Sequence, residues 1–521
     1  MEVRKISNLI EAQQLDGVYV FEVDPPGYVG SVGTGIVGMV GLFEMGPVDE
    51  VVSIGSPAEA RRIFGGYGVA TAGQESSFRG YSGHIALTGK YWPGLRVVRA
   101  GNGTMAKADA TIDLVTHDTD PVVQGRALTV TAKWKGRYGN RIIVTIDEAS
   151  NSSLTNGFRL NIRLDDRSES IDNLHAAMTV LELAEISKGL QLVDLAIANA
   201  NDAAQEEWPL TVTLADGSDG AAALQNWTDG IDKILARREV SIIFAAEPDG
   251  ATVTFAALNA YIKGKVAPAT GTRPFVHAVL SGPAGDTIDE AATAASGLRS
   301  DQLIYTYPWR KQVFAGASPA HPGGILTVPS NSVVASALAN IDVIYDPASR
   351  EGTRYIDAAT VGLEFDDLDR DDYVTAKEQG VCALEFDPDI GHRVVSGITT
   401  SLVPGREQIH VSRTADFLNA SIARFLKFYQ NQPMTDDWKD QVNGAIAAFL
   451  EQQKRPLGPV PNRLVDYVVD TVTVNDSTTE AAGIYNILIK CRTVASARYI
   501  VLLSQIGTNV EVRREPDQFA A

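Results

Sequence analysis

Glycines near the N-terminus have the spacing of a nucleotide-binding loop. Gly33, Gly35 and Gly38 fit the pattern G-x-G-x-x-G and follow a predicted strand, the context in which backbone amides cradle a pyrophosphate. That chemistry also requires a helix beginning at the last glycine, and Gly41 and Pro47 interrupt the residues where the helix should lie. The pattern therefore favours a glycine-rich strand packed closely against its neighbours. A dinucleotide-dependent enzyme that rests on the first three glycines remains an alternative.

Other motifs of phosphate binding and nucleophilic catalysis fail on spacing. Gly83 and Gly89 are separated by five residues, one more than in a phosphate loop, and Tyr91 occupies the position of its magnesium-binding hydroxyl. Ser82 and Ser318 each lack the second glycine of a nucleophile elbow. We therefore predict no catalytic residue in this chain.

The spacing of the cysteines, histidines and acids does not match metal-binding or catalytic motifs and favours structural roles. Cys382 and Cys491 are too far apart for a zinc motif, and reduced buried thiols are expected. His392, His410 and Cys382 could form a nucleophilic site only if the fold happened to bring them together, because no motif in the sequence links them. The acidic run 364–372 lacks the glycine and the terminal glutamate of a calcium loop, so we interpret it as a solvated loop or a partner-facing acidic face. The sequence predicts no cofactor and no metal.

Composition describes an ordinary globular chain with a strong negative charge. A formal net charge of −19 over 521 residues argues against a nucleic-acid surface, which needs lysines and arginines to release counterions from phosphates. No apolar run approaches the roughly 18 residues of a membrane span, and residues 1–14 lack the apolar core of a signal peptide. We expect no direct nucleic-acid binding, no membrane insertion and folding in a cytoplasm.

Hydrophobic periodicity predicts a multidomain fold of α/β and α+β class, in which an α/β core carries an inserted β-rich domain and extended β-strand arms at both ends. The clearest local signal is a helix start, where Ser56 can cap, Pro57 suits the first position and Gly65 can end the helix. The predicted division is an N-terminal arm (1–26), the first part of the core (27–102), the inserted β-rich outer domain (103–216), an α/β domain (217–344), a C-terminal α+β domain (345–506) and a C-terminal arm (507–521).

The C-terminal domain is predicted to combine two helices with a small sheet. Val411–Tyr429 and Thr435–Gln453 each carry one apolar stripe at three- and four-residue spacing. Strands are predicted at Val465–Val474 and Tyr485–Cys491, joined by a turn-rich loop. The order of elements indicates a helix pair beside a β-sheet.

Both ends of the chain carry extended apolar segments with nothing adjacent to fold against. A strand-like N-terminal segment precedes a double proline, and a similar C-terminal segment follows a glycine. We predict that each segment adds a strand to a sheet of a neighbouring subunit, beside 465–474 and 485–491, through main-chain hydrogen bonds. The predicted inter-subunit residues are Val18, Tyr19, Val20, Phe21, Glu22, Val23, Thr508, Asn509, Val510, Glu511, Val512 and Arg513, with hinges at Pro25, Pro26 and Gly507.

Taken in chain order, several segments resemble the contractile tail sheath proteins of bacteriophages and related injection machines. The strongest local match is a glycine-rich strand followed by a Gly-Pro loop and a helix ending in Phe-Gly. The segments that carry the resemblance are 17–23 (the arm), 37–68 (the first block), 136–146 and 214–220 (the entry and exit of the inserted domain), and 395–401, 417–426, Trp438 and the final β segment (the C-terminal domain).

The resemblance implies a non-enzymatic subunit of a contractile sheath. Such subunits stack as hexameric rings around an inner tail tube protein and contract to drive the tube through a target envelope. The implied partners are further copies of the chain, the tube, and baseplate and tail terminator proteins, in a virion tail assembled in a bacterial host cytoplasm. The resemblance also places the C-terminal domain, together with the first α/β block, against the tube. We expect the inserted domain on the outside, because an insertion is best tolerated where few lattice contacts cross it. A capsid or surface-layer protein remains open, because exposed arms would suit it equally well.

Overall fold

A computed structural model gives the fold of the chain. It describes residues 29–65, 94–101, 104–114, 125–154, 157–175, 178–200, 208–220, 222–248, 253–269, 274–313, 325–365 and 367–497.

The described residues form the following elements in chain order. The strands are β1 (Val37–Gly41), β2 (Val51–Ile54), β3 (Leu95–Arg99), β4 (Asp109–Leu114), β5 (Gly125–Ala132), β6 (Ile143–Glu148), β7 (Gly157–Leu164), β8 (Arg167–His175), β9 (Val193–Ala200), β10 (Leu210–Thr213), β11 (Ile242–Ala245), β12 (His277–Ser281), β13 (Leu303–Tyr307), β14 (Arg310–Val313), β15 (Ile325–Val328), β16 (Gly362–Leu363), β17 (Val381–Asp387), β18 (Gly391–Val394), β19 (Leu464–Asp470) and β20 (Leu488–Thr493). The helices are α1 (Pro57–Phe64), α2 (Val180–Gly189), α3 (Leu224–Leu235), α4 (Phe255–Val266), α5 (Ile288–Ser296), α6 (Asn331–Asn340), α7 (Arg350–Asp357), α8 (Arg370–Glu378), α9 (Ile409–Leu426), α10 (Asp436–Gln453) and α11 (Ser477–Ala481).

The central sheet has the strand order β18-β17-β13-β12-β11-β1-β3-β2. Neighbours from β17 to β3 run parallel, and β18 and β2 pair antiparallel at the two edges. Both faces are covered: Val37 and Met39 of β1 enter the hydrophobic cluster that includes α6, whereas Val40 enters the cluster that includes α3. This doubly covered, mostly parallel sheet is the α/β core that strand and helix alternation predicted.

The predicted helix start at Ser56 is confirmed. Ser56 Oγ accepts the backbone N–H of Glu59 at 3.1 Å, and Glu59 Oε2 accepts the N–H of Gly55 at 2.8 Å. Pro57 occupies the first turn, and Gly65 follows the last helical residue with a φ of 95°. Glycine adopts this backbone conformation without the steric cost that a side chain would add.

The segment from 104 to 220 is the β-rich part that the sequence predicted. Its two antiparallel sheets have the orders β4-β5-β9 and β10-β6-β7-β8. They share a hydrophobic cluster that includes Leu128, Val144 and Leu160. On β6 the buried residues alternate with partly exposed ones, the pattern of a sheet with one face in a core. The mixed α/β multidomain class predicted from sequence is therefore confirmed.

The chain separates into two compact units, which consist mainly of Val32–Phe417 and of Leu418–Arg492. This division differs from the predicted boundary at residue 345. The reason is that β17 pairs in parallel with β13, so that Cys382 lies opposite Thr306 in the central sheet. Pairing across this sequence distance leaves no local signal, and the segment after 345 is bound to the first unit by the sheet.

The smaller unit contains the second half of α9, the whole of α10 and the predicted small sheet, with ends that differ from the prediction. Thr435 caps α10 by accepting the N–H of Trp438 at 3.2 Å. β19 ends at Asp470, earlier than predicted, because the Asp470 carboxylate accepts the N–H groups of Val472 and Thr473 and turns the chain. Among the described helices, none has the length and apolar character needed to cross a bilayer.

Candidate assembly surfaces

The predicted arm residues cannot be compared with the structure. Val18–Val23 and Thr508–Arg513 lie outside the described residues, as do the hinges Pro25, Pro26 and Gly507. The recipient strands predicted for them are described.

Strands β19 and β20 form a sheet of their own. In the described part of the chain no third strand pairs with either of them, so each strand leaves one edge of main-chain N–H and C=O groups open. Apolar side chains are also exposed, including 55% of Val468 and 37% of Leu488. A sheet of two strands is marginally stable by itself. Strands added at both edges would therefore stabilise it.

Helix α10 holds this small sheet in place. The hydroxyl of Tyr467 donates to the carbonyl of Ala447 at 3.0 Å. Asn443 Nδ2 donates to the hydroxyl of Tyr485 at 2.9 Å, and the Tyr485 ring meets Trp438 edge-on at 5.3 Å between centroids. The recipient sheet is thus fixed on a helix through both polar and aromatic contacts.

The loop between β19 and β20 is closed by two asparagines. Asn475 Nδ2 donates to the carbonyl of Asn486 at 2.7 Å, and Asn475 Oδ1 accepts the N–H of Asn486 at 2.7 Å. This reciprocal pair keeps residues 485–487 outside the strand, so β20 begins later than the predicted Tyr485. It also holds the two strands together at the end where the loop joins them.

The entry and exit of the inserted β-rich part meet in space. Asn140 Nδ2 donates to the carbonyl of Gly217 at 3.0 Å, and Asn140 Oδ1 accepts the N–H of Gly217 at 2.7 Å. The N–H of Arg137 donates to Asp219 Oδ1 at 2.8 Å. A methyl group on Gly217 would lie 2.6 Å from the carbonyl oxygen of Gly136. Only glycine fits, which gives the Gly-Asn and Gly-Ser-Asp-Gly segments of the resemblance a physical reason.

A buried arginine binds this junction to the central sheet. Arg99 is 1% exposed, and its guanidinium donates to the carbonyls of Gly46 at 3.0 Å and Lys135 at 2.7 Å. Asp219 lies 4.0 Å away and supplies a counter-charge. Burial lowers the pKa of Arg99 to about 10, because the interior disfavours the charged form. This role of Arg99 was not predicted from the sequence.

Two more arginines cross between the same parts of the chain. Arg141 forms an ion pair with Glu44, which is itself buried. Arg167 donates to the carbonyls of Arg61 and Arg62, in the last turn of α1, where unpaired carbonyls and the helix dipole favour a cation. The orientation of the inserted part is therefore set by charged contacts at its base.

The last glycine of the nucleotide-like motif serves packing. Gly38 lies inside β1, and a methyl group there would overlap the side chain of Ile234 on α3. The next glycine along the chain, Gly41, is also crowded, because a methyl group there would lie 2.8 Å from Ala246 Cβ. At Gly33, the first glycine of the motif, no atom of the described residues lies within 4 Å of such a methyl group. The close-packing interpretation is therefore supported for Gly38. The second glycine-rich segment, 83–91, lies outside the described residues.

The two histidines considered from the sequence pair with different aspartates. His392 Nδ1 lies 3.3 Å from Asp357, whereas His410 Nδ1 lies 3.6 Å from Asp346. The Cys382 thiol is fully buried, and burial raises its pKa, so the thiol stays protonated. Within the described residues no cluster of histidines, cysteines and acids is arranged to hold a metal ion.

One buried group of side chains resembles a catalytic triad and was not predicted from the sequence. His277 Nε2 lies 3.0 Å from Ser412 Oγ, and its Nδ1 lies 3.7 Å from Asp416. Ser412 Oγ donates its proton to the carbonyl of Asp301 at 2.6 Å, so the histidine does not receive it as a general base would require. All three side chains are buried. The group is a structural network, and its members are too distant in sequence to have been predicted.

Comparison with known proteins gives a result at the level of structure. No protein-family model matches the sequence, and a search of curated proteins finds no relative. The fold matches a sheath tail protein from Desulfitobacterium hafniense at a TM-score of 0.55 and 19% identity, over 87% of this chain and 93% of that chain. The chain has the fold of a sheath tail protein. The resemblance predicted from sequence is confirmed at the level of the fold.

Two further matches extend this fold over more of the chain. A sheath tail protein from Listeria innocua matches at a TM-score of 0.53 and 14% identity, over 89% of this chain and 96% of that chain. The helical sheath of the anti-feeding prophage, in its contracted state, matches at 0.53 and 13% identity, over 95% of this chain and 99% of that chain. The sheath fold therefore accounts for nearly the whole molecule, including the inserted part.

Proposed function

We propose that this chain is the structural subunit of a contractile tail sheath, which polymerises around an inner tail tube and contracts to drive the tube through a target cell envelope. The observation that carries the proposal is the sheath-protein fold over 95% of the chain, shared with a helical sheath in its contracted state. The filled space around Gly38 and Gly41 supports a structural role over a dinucleotide-dependent enzyme.

Contraction of such a sheath needs no nucleotide. The extended lattice is a trapped state with fewer contacts than the contracted lattice. Apolar and polar area buried on contraction supplies the work that moves the tube. The subunits must stay connected while their contacts change.

Strand exchange supplies that connection. The N-terminal strand Val18–Val23 and the C-terminal strand Thr508–Arg513 pair with β19 and β20 of neighbouring subunits, whose open edges support this assignment. An arm makes about four or five main-chain hydrogen bonds, each contributing about 0.5–1.5 kcal/mol net. Every subunit gives two arms and receives two, so the lattice resists separation while the hinges at Pro25, Pro26 and Gly507 bend.

The same proposal assigns faces and partners to the chain. The inserted part, 103–216, faces outward, and the C-terminal part, 345–506, faces the tube protein. Baseplate and tail terminator proteins bind the two ends of the assembled sheath, which is built from hexameric rings. The particle is a phage tail or a phage-derived injection system.

Negative-stain microscopy of the purified full-length chain tests the proposed function. We expect tubes of uniform diameter with a central channel wide enough for an inner tube. Closed shells or flat sheets would support a capsid or surface-layer protein instead. Tight binding of a labelled adenine or nicotinamide nucleotide would revive the enzyme alternative.

Truncation tests strand exchange separately. Deleting residues 1–23, or residues 507–521, should give a folded chain that no longer builds long tubes. Deleting only residues 515–521, beyond the predicted strand, is the matched control and should leave assembly intact. Tubes from either long deletion that assemble and contract normally would rule out the strand-exchange account.

A further inference from the structure

A groove with exposed apolar side chains opens near the carboxyl end of β17. Its volume is about 430 Å³, and it is lined by Val361, Phe365 and Phe386 together with the polar residues Glu385 and His392. Phe386 is 57% exposed and Val361 is 52% exposed. Exposed apolar side chains that lie together beside polar ones are typical of interaction sites in soluble proteins. We call it the carboxyl-end groove.

A second apolar feature projects from the same compact unit. The tip loop, residues 401–407, exposes 53% of Leu402 and 57% of Val403, followed by Pro404. The loop is rigid at its base, where the N–H of Thr399 donates to the carbonyl of Glu407 at 2.7 Å.

Further hydrogen bonds fix the tip itself. The N–H of Val403 donates to Ser401 Oγ at 3.2 Å, and the N–H of Arg406 donates to the carbonyl of Val403 at 3.0 Å. A loop held in one conformation loses little entropy on binding. Apolar side chains presented in this way are therefore suited to insertion into a partner.

The groove and the tip loop lie at opposite ends of the parallel strands. The N–H of Thr400, at the base of the tip loop, donates to the carbonyl of Leu303, the first residue of β13. At the other end of β13, the ring of Tyr307 stacks on Phe365 of the groove at 6.2 Å. From Val381 to Phe386 the parallel strand β17 spans about 17 Å. In a second copy displaced along the strand direction, the tip loop would approach the carboxyl-end groove of the first copy.

Charge is complementary as well. The exposed acids Asp367 and Asp369 adjoin Leu368 of the groove lining, with the exposed Arg370 beside them, and the exposed Asp389 lies in the turn that follows Phe386. The exposed charge on the tip loop is Arg406, whose side chain is 68% exposed and has Asp301 at 3.8 Å. We propose that the tip loop of one copy docks into the carboxyl-end groove of a second copy, with Leu402 and Val403 inserted and Arg406 against the acidic rim.

This contact joins two different surfaces, so it is head-to-tail. A head-to-tail contact repeats from copy to copy and builds a ring or an open helix, whereas a symmetric contact stops at a dimer. The inference is independent of the arms. It gives the folded bodies of the subunits a direct contact and accounts for the acidic run as a partner-facing surface.

Disulfide crosslinking of the full-length chain tests the proposal. In a Cys491→Ser background, with Cys382 left buried, one chain carries both Val403→Cys and Phe386→Cys. Oxidation should produce a ladder of linked chains on a non-reducing gel. An intrachain link is excluded by the strand length, because disulfides join Cα atoms less than about 7 Å apart. Soluble and pelleted fractions are both scored, so the result does not require long tubes.

Single variants and a matched control decide the outcome. Val403→Cys and Phe386→Cys chains mixed together should give only heterodimers, whereas each alone should stay monomeric on the gel. Leu181→Cys, at a more exposed apolar position on α2, combined with Phe386→Cys should give no ladder. Absence of a ladder in both fractions, homodimers from a single variant, or a ladder with Leu181→Cys would each overturn the proposal.

The effect on assembly provides a second measurement. Leu402→Ser with Val403→Ser should raise the critical concentration for assembly at least about fivefold, as loss of a central interface contact does. Leu181→Ser should change it less than about twofold. Arg406→Glu should weaken assembly, and Asp389→Arg in the same chain should restore it. Equal effects of the tip-loop and α2 substitutions would contradict the docking.

Discussion

Arg99 places a guanidinium inside the protein where the inserted β-rich part joins the central sheet. Replacing it with methionine keeps the apolar volume but leaves the carbonyls of Gly46 and Lys135 without their donor. Unsatisfied buried polar groups cost about 1–3 kcal/mol each. We expect Arg99→Met to lower the free energy of unfolding by roughly 3 kcal/mol, measured by chemical denaturation. Arg62→Met, at an exposed i,i+3 pair with Glu59, is the control and should cost under about 0.5 kcal/mol.

Asp286 makes the stability of the folded chain depend on pH, and its raised pKa determines the direction of that dependence. Burial raises its pKa, and the nearby carboxylate of Glu290 raises it further. The folded chain therefore holds this proton more tightly than the unfolded chain. The stability contributed by Asp286 is lost as the pH rises from the ordinary value through the raised value. Asp286→Asn should raise the denaturation midpoint at pH 7 and leave it unchanged at pH 3, and an equal shift at both values would contradict this reasoning.

Residue-level prediction from the sequence succeeded where the partners are local. Ser56 and Glu59 lie three positions apart, and the predicted Ser56 cap forms. The Glu59 carboxylate accepts the N–H of Gly55, one residue before the cap. Arg99 and His277 were missed because their partners lie far along the chain. A cap is encoded by neighbours in sequence, whereas a buried charge is encoded by the fold that surrounds it.

At the scale of elements, the contacts at the junction of the inserted part determine how deleting that part affects stability. Replacing 103–216 with a short flexible linker should leave a chain that still assembles into tubes, because an outward-facing insertion carries few lattice contacts. Removal also takes away the Lys135 carbonyl, one of the acceptors of the Arg99 guanidinium. Arg99 keeps the carbonyls of Gly46 and Glu44 and the counter-charge of Asp219, which lie outside the deleted span. We therefore expect the deletion combined with Arg99→Met to be less stable than the deletion alone.

Thermal unfolding and negative-stain microscopy of the two deletion variants check this. The predicted order is a lower unfolding midpoint for the combined variant, with tubes from both. A folded deletion variant that never assembles would contradict the outward placement. A higher midpoint for the combined variant would show that Arg99 loses its favourable partners together with the inserted part.

The sequence predicted the kinds of elements better than their pairing. The two C-terminal helices and both recipient strands were found because periodicity is local, and the strand ends moved where the side chains of Asp470 and Asn475 turn the chain. The membership of β17 and β18 in the central sheet was not found. Parallel pairing of β17 with β13 brings together residues separated by α6, α7 and α8, and no motif in either strand specifies the partner.

At the scale of the whole molecule, the proposal separates an inner from an outer face. Crosslinking of assembled sheaths to the tube protein, read by mass spectrometry, should recover linked lysines mainly from 345–506. Residues 427, 439 and 454, lysines in or beside α9 and α10, are the first candidates. The lysines at 107, 133, 135 and 188 in the inserted part are the internal control. Links that fall mainly on the control set would reverse the assignment.

Helical reconstruction by cryo-electron microscopy of assembled tubes tests the central claim most directly, because it shows which chain supplies each strand. We predict that β19 and β20 form the middle of a larger sheet, flanked by strand 18–23 and strand 508–513 from neighbouring subunits. Open outer edges on β19 and β20 in the assembled tube, or flanking strands supplied by the same chain, would contradict the account.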